Sequence, residues 1–285
     1  MKSIIKIIGK NIVYLFKSIY WIIYKFRFED FNNYIQKEEH QKRFIVLANG
    51  PSLQNEIIEN IDIFLQEDVC VVNNFAITEY YQKIKPKYYV IADPGFWSDL
   101  QKCVDYRNKI FQKLLLTSWP CNLFVPYIAF KHVRFKEIFK DNENIKVIPY
   151  HSSEWCGIPS LTNWIYTKGL SMPRVQNVVV ACIFNAMNMG YKQIDLYGVD
   201  HSWTEQICVN EKNEVCTYDR HFYDQTNVEL IPWKKFEEQY KMHVLLRDLA
   251  YMFESYHKLQ EYAQYLDVHI VNHTQKSFID AFERE

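Results

Sequence analysis

Glycine is scarce in this chain: seven residues in 285, where an average protein carries about 7 %. No Gly-x-Gly-x-x-Gly follows an apolar run, which argues against an ordinary dinucleotide-binding turn. No Gly-x-x-x-x-Gly-Lys-Ser/Thr occurs, which excludes a P-loop. Asp-x-Asp is missing too, so a diphosphate site bridged by a divalent metal is not indicated. The seven cysteines are scattered and form no Cys-x-x-Cys pair. They read as free thiols in a reducing cytoplasm, without zinc. Neither charge dominates: 33 basic against 34 acidic side chains leave a net charge of −1. Wholesale nucleic-acid binding therefore has no electrostatic basis. No stretch approaches the roughly 20 apolar residues that a spanning helix needs.

Aromatic residues are plentiful, with 21 Tyr and 19 Phe. That composition excludes a disordered or Gly/Ser-rich chain. A chain this long buries about three quarters of its unfolded surface. Charge is uneven along it. Residues 1–28 hold Lys2, Lys6, Lys10, Lys17, Lys25 and Arg27 and no acid. At about 100° per residue, Ile4, Ile5, Ile8, Ile12, Leu15, Phe16, Ile19, Ile22, Ile23 and Phe26 share one broad face. Such a basic amphipathic helix fits an in-plane anchor on the inner face of a cell membrane. The other reading is a helix packed on the protein's own core. A clean signal peptide is not evident. Residues 1–41 are thus expected to be a membrane-associating helix and linker, and residues 42–285 a catalytic domain.

After residue 42 short apolar runs alternate with helical patterns. Strands are expected at Phe44–Ala48, Val69–Val72, Lys87–Ala92, Lys113–Thr117, Lys146–Pro149, Gln193–Tyr197 and Asp267–Val271. Helices are expected at Val178–Met189, 233–264 and Gln275–Phe282. The pattern predicts an α/β fold with a Rossmann-like, doubly wound, mostly parallel sheet. Four strands end in polar turn formers: Asn49-Gly50-Pro51-Ser52, Asn73-Asn74, Asp93-Pro94-Gly95 and Gly198-Val199-Asp200. Each alone reads as an ordinary turn with Ser52 as a helix cap. Together they suggest a nucleotide or nucleotide-sugar cleft beyond the carboxyl ends of the strands. Gly50 would let backbone amides approach a phosphate.

These motifs resemble the bacterial sialyltransferases of glycosyltransferase family 42, and the wider group with the Maf-type flagellin glycosyltransferases. The matching residues are Leu47-Ala48-Asn49-Gly50-Pro51-Ser52-Leu53, Val72-Asn73-Asn74-Phe75, Ala92-Asp93-Pro94 and Met189-Gly190-Tyr191-Lys192-Gln193-Ile194, running into Tyr197-Gly198-Val199-Asp200. The resemblance implies transfer of a sugar from a CMP-activated ulosonic acid to a cell-surface glycan, without a metal or other cofactor. It puts Asn49, Gly50, Pro51 and Ser52 beside the donor phosphate. Asn73, Asn74, Asp93 and Pro94 would flank the donor, and Gly198 and Asp200 would edge the nucleotide. The family's Thr-Ser-Gly stretch is replaced by Gln176-Asn177, one residue out of step.

The resemblance also makes 201–232 a mobile lid with a His base and Tyr hydroxyls. Chemistry asks for the same parts: a base near neutrality and donors for the leaving phosphate. His221 is the expected base, with His201 the other candidate. Arg220, Tyr218 and Tyr223 are expected at the phosphate. Trp155, Trp164 and Trp203 could stack on sugars or fill the core. A homo-oligomer stays open. So do another nucleotide-sugar donor, a pterin pyrophosphokinase and a non-catalytic nucleotide-sugar binder.

Overall fold

The computed structural model of the chain describes residues 2–25, 37–38, 40–131, 137–218, 222, 230–235 and 238–285. Its elements begin with helix α1 (Lys2–Tyr24), then β1 (Phe44–Leu47), α2 (Leu53–Gln66), β2 (Asp68–Val72), α3 (Tyr80–Ile84), β3 (Tyr88–Val90), α4 (Gln101–Leu115), β4 (Cys121–Pro126), α5 (Tyr127–Phe130) and β5 (Ile145–Tyr150). Next come α6 (Thr162–Thr167), α7 (Val178–Met189), β6 (Gln193–Tyr197) and α8 (Trp203–Gln206). The short strands β7 (Cys208–Val209), β8 (Val215–Thr217), β9 (Ile231–Pro232), β10 (Lys234–Lys235) and β11 (Glu238–Gln239) lead to α9 (Met242–Leu266), β12 (His269–Asn272) and β13 (Glu283–Arg284).

The central sheet runs β13-β12-β6-β1-β2-β3-β4-β5, and its pairings are parallel. The sequence says why. Phe-Ile-Val-Leu and Val-Cys-Val-Val have no polar face, and only a parallel sheet covered on both sides can use such strands. Phe44 and Val46 of β1 face one core, with α7 and α9. Ile45 and Leu47 face the other, with α2 and α4. The α/β, Rossmann-like architecture expected from the alternation is the one found. From β1 the chain steps outward through β2 to β5. It then crosses to β6, β12 and β13 on the other side. The reversal lies between β1 and β6, where open sheets leave a crevice at the carboxyl ends of the strands.

The helix that fills this reversal is α7. Its sequence VVVACIFNAMNM is apolar nearly all round, and almost every residue is buried, as a helix between sheet and α9 must be. Asn177 starts it: its side-chain oxygen accepts from Val179 N at 2.9 Å, a cap worth about 1 kcal/mol. Gly190 ends it in the left-handed conformation, φ 105°.

Three expected elements differ. Lys113–Thr117 is not a strand; Leu114 joins Ile110 and Phe111 on the buried face of α4. Lys234–Lys235 and Glu238–Gln239 form short strands, and α9 starts only at Met242. Gln275–Phe282 is not helical. There Ser277 Oγ donates to the Val199 carbonyl at 2.6 Å and Phe278 N to the Asp200 carbonyl at 3.0 Å. The second of these takes the Phe278 N–H that a helix would have paired. β4 was missing from the sequence reading, because Cys121–Pro126 is bounded by prolines and interrupted by Asn122.

Candidate functional site

Two cavities meet at the reversal. One, of about 120 Å³, is lined by the β1 exit (Ala48, Asn49, Gly50, Pro51), the β6 exit (Gly198, Asp200, His201, Ser202) and Trp203 and Gln206. The second, of about 400 Å³, is lined by Ala92, Asp93, Pro94, Val175, Gln176 and Tyr240. Both share Asn73, Asn177 and Val178, so they form one cleft. The amino end of α7 stands where they join. This end carries partial positive charge. Asn177 Oδ1 is used by the cap, and its Nδ2 has no acceptor among the described residues. An anion could be received here by the amide and the helix end together.

The β1 exit is built differently from the expectation. Ser52 sits at the start of α2 but makes no side-chain cap. Its hydroxyl donates to Asp200 Oδ2 at 2.8 Å, and its backbone N–H to Asp200 Oδ1 at 3.2 Å. Asp200 therefore takes the place of the cap residue, from 148 positions away. The first amide of this turn is already spent on a carboxylate. Gly50 N donates to the Gly198 carbonyl at 2.9 Å. A Cβ on Gly50 would stand 1.9 Å from Asp200 Oδ2 and 2.4 Å from Gly198 O. The close approach that requires glycine is to the protein itself.

Asn49 ties strands together: Nδ2 donates to the Val72 carbonyl at 3.3 Å. Its Oδ1 is buried without a partner among the described residues, as is Gln206 Oε1. Both residues line the smaller cavity. Buried acceptors without partners are exceptions that call for an explanation. Asn73 ends β2 with φ 43°, a conformation asparagine tolerates. Its Oδ1 accepts from Ala92 N at 3.2 Å, which ties the ends of β2 and β3. Asn74 opens a 3-10 turn at Phe75–Ile77 and lines neither cavity. Asp93 Oδ1 accepts from Gly95 N at 2.8 Å and holds its loop at the larger cavity.

His201 is buried in the wall. Its Nε2 lies 2.6 Å from the Tyr256 hydroxyl, and Trp203 meets its ring edge-on at 4.9 Å. Burial pushes its imidazole down to about 3, against a weaker opposing bond to the Val199 backbone. A buried ring whose basicity is pushed down is a weak proton acceptor at neutral pH, and His201 stands in the cleft wall, engaged with Tyr256. Tyr218 is exposed just after β8. Arg220, His221 and Tyr223 lie outside the described residues. Trp155 is core and Trp164 is on the surface, while Trp203 lines the cleft.

Glu56, one turn into α2, lines neither cavity but braces the β6 exit, a role that the sequence reading overlooked. Its Oε2 accepts the Gly198 N–H at 2.6 Å. Burial raises its carboxyl above its ordinary value, and the negative Asp200 adds to that, while the Gly198 N–H and the nearby Ser52 hydroxyl dipole oppose it. Burial likewise raises Asp200. Among the described residues no third His, Cys, Asp or Glu joins the pair to make a metal-holding group. A raised folded value means that the folded state holds the proton more tightly than the unfolded chain. Stability is then greatest at low pH and falls as pH rises through the folded value. Glu56→Gln, whose amide oxygen still accepts from Gly198, is expected to flatten the fall of Tm as pH rises above the ordinary carboxylate range. Asp200 leaves a residual slope of the same sign. An unchanged slope would show that Glu56 does not titrate there.

No family model matches the sequence, and no curated protein does. Among solved structures the fold is similar to that of a Maf glycosyltransferase from Magnetospirillum magneticum AMB-1, with TM-score 0.47 and 10 % identity. The match covers 88 % of this chain and 35 % of that one, so the chain spans about a third of that protein's length.

Proposed function

We propose that the chain is a glycosyltransferase that draws on a nucleotide-sugar donor, a CMP-activated ulosonic acid of the sialic, pseudaminic or Kdo type. The observation that carries this is the cleft at the sheet reversal, with a helix amino end and an unengaged amide donor at its centre. The α7 end and Asn177 receive the donor phosphate. Asn49 Oδ1 and Gln206 Oε1 supply two acceptors, and the amino group of cytosine meets acceptors better than uracil does. Gln176, Asp93 and Pro94 flank the larger cavity, where a sugar has room. His221 takes the proton of the acceptor hydroxyl as it attacks the anomeric carbon, and CMP leaves. Arg220, Tyr218 and Tyr223 meet the charge on the leaving phosphate. Phe222 N donates to the Asn49 carbonyl at 3.3 Å, which supports a role for this segment at the cleft. The acceptor is a lipid-linked or lipooligosaccharide glycan, met at the inner face of the cell membrane through residues 1–28. Among the described residues no helix is long and apolar enough to cross that membrane.

A thermal-shift panel of CMP, UDP, GDP and ADP tests the donor. CMP at a hundred times its Kd should add about 2.7 kcal/mol, a rise of roughly 5–10 °C for a domain of this size. Donor hydrolysis should survive EDTA. A shift with UDP alone would move the reading to another nucleotide sugar. No shift with any of the four would sink the reading.

A further inference from the structure

Helix α1 touches the rest of the chain along one narrow edge. Ser18 is buried there; its hydroxyl donates to the Tyr14 carbonyl at 2.8 Å and accepts from Ile158 N at 3.0 Å. Trp21, 4 % exposed, meets Trp155 edge-on with ring centroids 5.1 Å apart. Gly157 shapes the seat: a Cβ there would stand 2.3 Å from Ser18 Oγ and 2.4 Å from the Trp155 ring. At about 100° per residue, Ile12, Phe16, Ile19 and Ile23 lie on the side opposite Ser18 and Trp21. They are 49, 67, 44 and 62 % exposed. An amphipathic helix on a globular body normally turns its apolar stripe inward. This one turns it out, and an exposed apolar patch of this kind marks a partner.

Charge selects the partner. The basic side chains of residues 1–28, with no acid among them, lie off the stripe at about 100° per residue, and their summed positive charge would repel a second copy of the helix. They would be drawn to anionic lipid. Exposed Tyr20 and Tyr24 suit the headgroup layer. A second apolar element lies beside the seat. Three residues beyond the Ile158 amide that Ser18 holds comes Leu161, 41 % exposed, and then Trp164 of α6, 55 % exposed.

The seat also lies on the loop that leaves the carboxyl end of β5, the edge of the sheet on which the cleft opens. This loop is tied to the cleft wall. Met172 N donates to the Ser153 carbonyl at 3.2 Å, and Arg174 Nε to Glu154 Oε2 at 2.8 Å. The next residues, Val175, Gln176 and Asn177, line the larger cavity.

We infer that α1 is a docked membrane-binding helix and not a loose tether. Its outward stripe, with Leu161 and Trp164, forms one lipid-facing surface that holds the cleft edge of the sheet against an anionic bilayer. This rests on the membrane association proposed above, and it is independent of the donor. A lipid-linked acceptor would then reach the cleft without the enzyme leaving the surface.

The test uses the full chain with phosphatidylcholine vesicles, with and without phosphatidylglycerol, in the absence of nucleotide and sugar. Anionic vesicles should slow hydrogen exchange in 9–25 and in 158–165 together. Phe16→Glu with Ile23→Glu, both at exposed positions, should weaken vesicle binding at least tenfold. Trp164→Ala, also exposed, should weaken it measurably. Gly157→Val should keep vesicle binding but lose the protection of 158–165. Protection confined to 9–25 in the unaltered chain would mean a tether and overturn the inference. So would equal binding to neutral vesicles, or lipid-free self-association that the double glutamate variant abolishes. Failure of the CMP thermal shift would leave this surface standing, and failure here would leave the donor reading standing.

Discussion

Gly50→Ala is expected to destabilise the protein by about 3 kcal/mol and to lower Tm by roughly 6–12 °C. Its backbone is not the reason, since Gly50 is not among the residues with positive φ. The cause is the crossing of two loops. Gly50 N donates to the Gly198 carbonyl, so the exits of β1 and β6 touch backbone to backbone. A methyl group would meet Asp200 Oδ2 at 1.9 Å and the Gly198 carbonyl at 2.4 Å. Both must move. If Asp200 moves, Ser52 loses a partner for its hydroxyl and its N–H at once, and the start of α2 is left unpaired. If Gly198 moves, the bond to buried Glu56 stretches. Denaturant unfolding measures the cost. A glycine kept only to admit a ligand phosphate would give the opposite result: unchanged stability, within about 0.5 kcal/mol, and weaker CMP binding.

Gly50 also marks what the sequence could and could not convey. The strands β1 and β2 were legible because an unbroken apolar run of four residues has few other fates, whereas β6, Gln193-Ile-Asp-Leu-Tyr197, carries an acid and was marked by the Gly198 turn that ends it. Helix α7 was legible because its apolar run stops at Gly190; that Asn177 caps its other end is shown by the structure. The polar turns were legible as a set, and the fold gathers Asn49, Asn73, Asp93, Asn177 and Asp200 along one cleft. The use of each group was not legible. Ser52 is spent on Asp200 and Gly198 on Glu56, across 148 and 142 residues. Partners so distant leave no local pattern. Glu56 sits one helical turn after Ser52, a spacing that hints at a shared face but not at burial. Trp203 and Gln206 stood in the stretch after Asp200, and only the structure, which sets Trp203 against the His201 ring and both residues in the cavity wall, shows that they face inward. Tyr256 gave no signal at all; it is one apolar-face residue in a 25-residue helix. The Leu114 region misled because three leucines in a row satisfy a strand and a helix end alike.

The amino end of α7 offers an experiment in which stability and binding part company. Asn177→Asp should leave stability unchanged or raise it, and should cost at least about 30-fold in affinity for CMP. The stability half follows from capping. Aspartate accepts from Val179 N as asparagine does, and caps about as well. Its negative charge is also favourable at a helix amino end. The binding half follows from the atom that changes. Nδ2, a donor with no acceptor among the described residues, becomes a second carboxylate oxygen at the junction of the two cavities. A phosphate there loses a hydrogen bond and gains a like charge. At about 4 Å in a partly screened site that repulsion reaches up to 4 kcal/mol, so a net loss of about 2 kcal/mol is a modest expectation. Asn177→Ala separates the terms: it removes the cap at about 1 kcal/mol of stability and the donor, but adds no charge. Its affinity should fall between those of the wild type and the aspartate variant. Calorimetric titration with CMP beside denaturant unfolding reads both quantities on each variant. If the aspartate variant binds CMP as well as the wild type does, the phosphate is not held by α7, and the nucleotide must enter the cleft in another orientation.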